Sequence, residues 1–271
     1  MAIGDVHGDL AAARAALRLA GASGDDGHWR GAGLVVVQVG DLIDRGDDDR
    51  RVLDWFEQLA AEAERAGGSL HWLNGNHELM NVAGDLRYAS ETSLAAFADV
   101  VPTRQAMALG AVPPRVRGRL AAFLPGGTYA RRLAAHPCVL VVGDTVFAHA
   151  GLSSGDAEGV ARLNNGVSRW MRGESASPPP EAQAQDGPLW MRQFGEDEPS
   201  AAACARLERI LAGLHARRLV VGHTAQDEGI APACAGRLYR IDVGLSQHRP
   251  GRPPQVLEIE GERITVRTAA P

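Results

Sequence analysis

Lysine is absent from the 271-residue chain, so all 28 basic side chains are arginine. They are outnumbered by 33 acidic ones, which leaves a formal charge of -5 and a pI near 6.0. Affinity for nucleic acid normally needs a basic footprint, so neither DNA nor RNA is expected as a partner. The missing lysine, beside abundant alanine and glycine, reads as the codon bias of a GC-rich genome rather than as chemistry. Cysteine is scarce too. Cys138, Cys204 and Cys234 are far apart, odd in number and form no CxxC element. That spacing suggests neither a disulfide framework nor a zinc knuckle, and buried small apolar roles in a reducing compartment are expected instead.

Long hydrophobic runs are also missing. None approaches the roughly 18 residues of a membrane span. Asp5 and Asp9 interrupt any signal-like start, so a membrane partner is not expected. A soluble protein follows, cytoplasmic by default. Met1-Ala2-Ile3 is short for a buried first strand, which points to a longer native start and leaves organelle targeting open.

What is present fits one α/β domain, residues 1–271, at 45% hydrophobic residues. Apolar, β-branched runs bounded by glycine resemble fully buried strands: Leu34–Val39, Ser69–Leu73 and Leu219–Val221. Val139–Val142 and Val146–Ala148, joined by Gly143-Asp144, predict a hairpin, as do Val256–Ile259 and Arg263–Arg267. Asp9–Ala20 and Asp49–Ala66 carry apolar residues at helical spacing, each followed by glycine. Residues 84–135 read as a helical insertion at the edge of the site, and 173–188, with three consecutive prolines, as an exposed loop.

Five glycine-flanked blocks carry the chemistry: Gly4-Asp5-Val6-His7-Gly8, Gly40-Asp41-Leu42-Ile43-Asp44-Arg45-Gly46, Gly75-Asn76-His77-Glu78, His149-Ala150-Gly151 and Gly222-His223-Thr224. Each follows an apolar run, and α/β sites lie at strand C-termini. Asp5 and His7 are two positions apart and suit one cation. The carboxylate of Asp41 can bridge two cations about 3.5–4 Å apart. Asn76 offers a neutral oxygen, and His149 and His223 close a second site. With no thiolate, this set suits manganese, iron, zinc or cobalt, manganese foremost.

His77 follows Asn76 and so sits beside the metals. Asp44 can fix its tautomer and favour its protonated form, creating a general acid. Arg45 shares that loop and can fork onto two phosphate oxygens, and Arg192 in Gly187–Arg192 is a second candidate clamp. An Asp-x-His alone would as well be a turn aspartate, and His77 alone a helix cap. Their joint occurrence favours a metal-dependent phosphatase.

The blocks resemble the calcineurin-like metallophosphoesterase superfamily, in particular its phosphoprotein-phosphatase branch with GDxHG, GDxxDRG and GNHE blocks. Gly187–Arg192 and Tyr239–Gly244 further resemble the Shewanella-like protein phosphatases. The resemblance runs from residue 4 to 224 and implies a two-sheet β-sandwich flanked by helices, with both metals at the strand ends. It implies Asp5 and His7 on one metal, Asp41 bridging, and Asn76, His149 and His223 on the other. It also implies His77 with Asp44 as the acid pair and Arg45 with Arg192 as the phosphate clamp. Ala150 departs from the glycine pair usual in eukaryotic relatives, and the tyrosine-containing inhibitor loop is lacking.

The expected reaction is hydrolysis of a phosphomonoester by direct attack of metal-bound hydroxide, without a phosphoenzyme. The substrate is a phosphoprotein, on serine/threonine or tyrosine. The alternatives are hydrolysis of dinucleoside polyphosphates or other small phosphate compounds and, from a different class, a binding scaffold with a decayed site. No substituted ligand supports the scaffold, and oligomeric state is left open.

Overall fold

Alternate residues of the apolar runs serve two different layers. In β2 (Val35–Gln38), Val36 packs with the helices while Val37 joins Phe147, Val220 and Leu257 in a separate cluster. In β5 (Thr145–Ala148) and β6 (Arg218–Val221), Phe147 and Val220 likewise face that cluster, and Val146, Leu219 and Val221 face the helices. A two-residue period therefore builds a core between two sheets and another beneath the helices. The computed structural model describes residues 1–101, 112–153, 155, 157–196, 198–246 and 253–269.

The first sheet also contains β1 (Ala2–Ile3), β3 (Ser69–Trp72), β9 (Gln255–Glu260) and β10 (Arg263–Thr268), ordered β10-β9-β1-β2-β3. The second adds β4 (Val139–Val142), β7 (Ala231–Ala233) and β8 (Leu238–Arg240), ordered β4-β5-β6-β8-β7. Strands β1, β2 and β3 run parallel, with Ala2 opposite Val37 and Val36 opposite Leu70. So do β5, β6 and β8, with Phe147 opposite Val220 and Val220 opposite Tyr239. The hairpins β4–β5 and β9–β10 are antiparallel, as their turns predict. Pro232, which cannot donate to a ladder, lies on edge strand β7.

Helix α1 (Leu10–Leu19) starts where Asp9 accepts the amide of Ala12 at 2.9 Å. Helix α2 (Asp49–Arg65) buries Val52, Leu53, Phe56, Leu59 and Ala63 at helical spacing. Helix α3 (Asn76–Val82) is a short buried segment after β3. The 84–135 region contains α4 (Glu91–Ala95), α5 (Pro114–Phe123) and α6 (Thr128–Leu133), with residues 102–111 outside the described set. Helices α7 (Ala157–Met171) and α8 (Ala201–Gly213) follow.

Two expectations change. Cys204, on α8, and Cys234 form a disulfide across 30 positions, with Cα atoms 5.2 Å apart. Spacing concealed this pairing because α8 and the turn before β8 meet only in the fold. Cys138 is buried and free, as the apolar reading expects. The 173–188 loop is not simply exposed: it holds a 3-10 turn at Pro180–Ala182, and Ala182 is fully buried. The indole of Trp190 donates to the carbonyl of Ala182 at 3.1 Å, tying the loop down. No helix of the described residues is long and apolar enough to cross a membrane.

Candidate metal centre and phosphate pocket

The six parallel strands end at one rim, three from each sheet, and the blocks leave from those ends. Asp5 and His7 follow β1, Asp41 follows β2, Asn76 follows β3, His149 follows β5 and His223 follows β6. Gln38, fully buried at the end of β2, bonds the carbonyls of Gly4 and Gly40 at 3.2 and 2.6 Å, fastening the first two loops together. Close approach then requires glycine. A Cβ on Gly75 would collide with the Asp41 carboxylate, and one on Gly222 with that of Asp5.

His7, Asp41, Asp44, Arg45 and His223 all have left-handed backbone, with φ of 51°, 54°, 72°, 71° and 66°. Each such residue costs of order 1–3 kcal/mol and persists only when its surroundings hold it. Glu78 does much of that holding. Its buried carboxylate accepts the amides of Gly75, Asp41 and Leu42 at 2.7, 3.0 and 2.9 Å, and that of Ile43 at 3.3 Å. Burial and the charge of Asp41 push Glu78 up to about 7.

The six predicted ligand residues meet across as many as 218 positions: both carboxylate oxygens of Asp5 accept the amide of His223 at 3.2 Å. Oδ2 of Asp41 lies between two groups, 3.9 Å from Nε2 of His7 and 3.3 Å from Nε2 of His149. Oδ1 of Asn76 is 2.9 Å from Nε2 of His149 and 3.0 Å from Nδ1 of His223. Those two nitrogens are themselves 3.2 Å apart. Nδ1 of His7 faces the carbonyl of Ile43 and Nδ1 of His149 that of Val39, at 3.2 and 2.9 Å. Donation to those carbonyls leaves both Nε2 lone pairs free as ligands.

This donor set fits divalent cations. Two clusters of donors, His7–Asp41–His77, all buried, and Asp41–His149–His223, buried but for the half-buried His223, share Asp41. Burial, Asp242 and the charge of Asp41 raise the pKa of Asp5, so crowded carboxylates call for positive charge. Burial opposes a proton on His149, yet Asp41 and Asp5 push it up to about 10.

His77 lies at the rim of this cluster. Its Nδ1 is 2.8 Å from Oδ2 of Asp44, and its Nε2 is 3.8 Å from Oδ2 of Asp41. Burial disfavours its charged form, but Asp41 and Asp44 outweigh burial and raise its pKa. Around it opens a cavity of about 200 Å³ lined by Arg45, Arg87, Tyr88, Trp190 and Arg192 among others. The Arg45 guanidinium sits 5.7 Å from the Tyr88 ring centroid, and its amide donates to the Tyr88 carbonyl at 2.8 Å. Of the ten sequence-predicted residues, Asp41, Arg45, Asn76, His77, Arg192 and His223 line this cavity, and Asp5, His7, Asp44 and His149 each lie within 4 Å of one of those six. The sequence reading gave Glu78, Gln38, Tyr88 and Trp190 no role. Only Glu78 left a local signal, as the fourth residue of its block.

A family model for calcineurin-like phosphoesterases matches residues 1–227. The chain belongs to that family, whose members use divalent metal ions. It is 37% identical to Shewanella-like protein phosphatase 2 of Arabidopsis thaliana over 96% of this chain and 74% of that one. It is 28% identical to Shewanella-like protein phosphatase 1 of Plasmodium berghei, over 97% of this chain and 72% of that one. Among solved structures it superposes on a cold-active protein tyrosine phosphatase with a TM-score of 0.72, at 24% identity, over 98% of this chain and 77% of that one. A protein serine/threonine phosphatase from Saccharomyces cerevisiae gives a TM-score of 0.54 at 18% identity, over 89% of this chain and 65% of that one. The last two similarities establish shared fold. The chain is thus a metal-dependent phosphatase of two mixed sheets flanked by helices.

Proposed function

We propose that this protein is a phosphomonoester hydrolase that holds two divalent cations, manganese foremost with iron, zinc or cobalt as alternatives, and acts on phosphoproteins. Asp5 and His7 would hold one cation, Asn76, His149 and His223 the other, and Asp41 would be shared by both. The observation that carries the reading is the position of Asp41 Oδ2, within 3.9 Å of imidazole nitrogens from both groups and 3.8 Å from the His77 ring. Bound there, the cations supply Lewis acidity toward phosphoryl oxygens and a water of lowered pKa.

The remaining work falls to side chains. Arg45 and Arg192 flank the cavity and bind phosphoryl oxygens as charge redistributes. His77, its Nδ1 held by Asp44, presents Nε2 to the departing oxygen and gives it a proton. The Tyr88 ring and the Trp190 indole stand at the same cavity. Their faces suit a phenyl ring better than a short alkyl chain, which favours phosphotyrosine over phosphoserine or phosphothreonine.

Phosphate release from phosphotyrosine and phosphothreonine peptides, with diadenosine tetraphosphate as comparison and manganese added or chelated, tests this. Metal-dependent turnover of peptides, tyrosine ahead, is expected. Preference for the dinucleotide would favour the small-molecule alternative, and no turnover of any substrate would leave the scaffold.

A further inference from the structure

Arg119, on α5, is completely buried and every arm of its guanidinium is used. Nε donates to Oδ1 of Asn81 at 2.8 Å, one terminal nitrogen to Oδ1 of Asp44 at 2.8 Å, and the other pairs with Oδ2 of Asp49 at 2.7 Å. That last nitrogen also reaches the hydroxyl of Ser93. Phe97 and Phe123, their ring centroids 5.2 Å from each other, pack beside it with centroids 5.4 and 5.1 Å from the guanidinium carbon. Asp44 and Asp49 are themselves fully buried. Burying three charges is expensive, and well-packed apolar residues commonly serve stability as well or better. Such a cluster invites a reason beyond packing.

The geometry supplies one. Asp44 divides its oxygens: Oδ2 faces Nδ1 of His77 and the Asn81 amide at 2.8 and 2.9 Å, while Oδ1 is held by Arg119. Asn81 in turn donates to the carbonyl of His77 at 2.9 Å. Arg119 therefore grips both groups that touch His77 from behind. Through Asp49, whose Oδ1 accepts the Asp44 amide at 2.9 Å, it also braces the left-handed turn that carries Arg45. Only a planar fork with several donors in fixed directions can make all these bonds together.

We propose that Arg119 is a positioning residue for proton delivery, holding Asp44 and Asn81 so that the His77 ring keeps Nε2 toward the leaving-group oxygen. This rests on the phosphomonoester-hydrolase reading above. As a water-derived hydroxide forms its bond to phosphorus, the bond from phosphorus to that oxygen breaks; its electron pair goes to the oxygen, which takes the proton from Nε2, and the products are the free alcohol or phenol and hydrogen phosphate. His77 is left neutral, its Nδ1–H still bonded to Asp44. Arg119 reaches neither substrate nor reacting atoms.

Leaving-group dependence separates positioning from mere stability. Phenyl phosphate and p-nitrophenyl phosphate share a ring, but only the first has an oxygen that leaves poorly without a proton. General acids contribute roughly 10²–10⁴-fold. In manganese-loaded Arg119→Gln, kcat should fall roughly tenfold or more on phenyl phosphate but under about threefold on p-nitrophenyl phosphate, with metal content unchanged. Adding Asp44→Asn to Arg119→Gln should be no worse than Asp44→Asn alone, since the two act through one ring. Arg119→Lys keeps a charge in the core but cannot fork, and should show a smaller loss of the same selectivity. Equal loss on both substrates, or no loss, in a folded variant overturns the proposal. So does failure of both variants to fold, which would make Arg119 a folding residue. Wild-type protein inactive on both substrates would instead overturn the hydrolase reading.

Discussion

At the scale of single residues, the site places groups whose preferences conflict and settles each conflict by proximity. His77 is buried, which opposes a charge, yet Asp41 and Asp44 raise its pKa. Its proton is therefore held to higher pH than in a free imidazole, whose pKa is near 6.5. For kcat on phenyl phosphate against pH, the falling limb should lie above that value. Asp44→Asn removes one of the two raising groups, so the falling limb should move to lower pH. An unmoved limb would remove His77 from the role of acid. The proposed ligands could be picked out because each lies in a glycine-flanked block that local rules can interpret. Arg119 was not: in an arginine-rich chain nothing within its helix distinguishes it, and its four polar partners lie 26 to 75 positions away.

Among elements, legibility followed the same division. Hairpins and strands were visible because apolar runs, glycine turns and period-two alternation are short-range signals. The β1 strand, only Ala2–Ile3, is nonetheless paired on both sides, with β2 and β9. The pairing of Cys204 with Cys234 was missed because it depends on α8 docking beside the turn that precedes β8. Closing a loop of 30 residues, the bond should contribute roughly 2–4 kcal/mol, mainly by restricting the unfolded chain. Urea unfolding of Cys204→Ser against wild type, both without metal, should show a loss of about that size. An unchanged midpoint would mean that the α8 contact holds without the bond.

For the whole molecule, the decisive feature is that neither sheet contains the site. Asp5, His7, Asp41 and Asn76 come from the loops of one, and His149 and His223 from those of the other. The fold class and the converging residues could be anticipated from the blocks, since parallel strands put their C-termini at one rim. The aromatic walls of the cavity could not. Tyr88 lies within the 84–135 insertion and Trp190 follows the 173–188 loop, and loop placement is a property of packing rather than of pattern.

The most direct test is to count the metal bound by chelator-stripped protein as manganese is restored, while following release of phosphate. Two ions per chain should bind, and turnover should appear with them. Asp41→Asn, which removes the shared oxygen, should bind fewer and lose turnover by roughly 100-fold or more. An Asp41→Asn protein that kept both ions and full turnover, or a wild type that hydrolysed phosphomonoesters equally well with no metal, would contradict a shared two-cation centre.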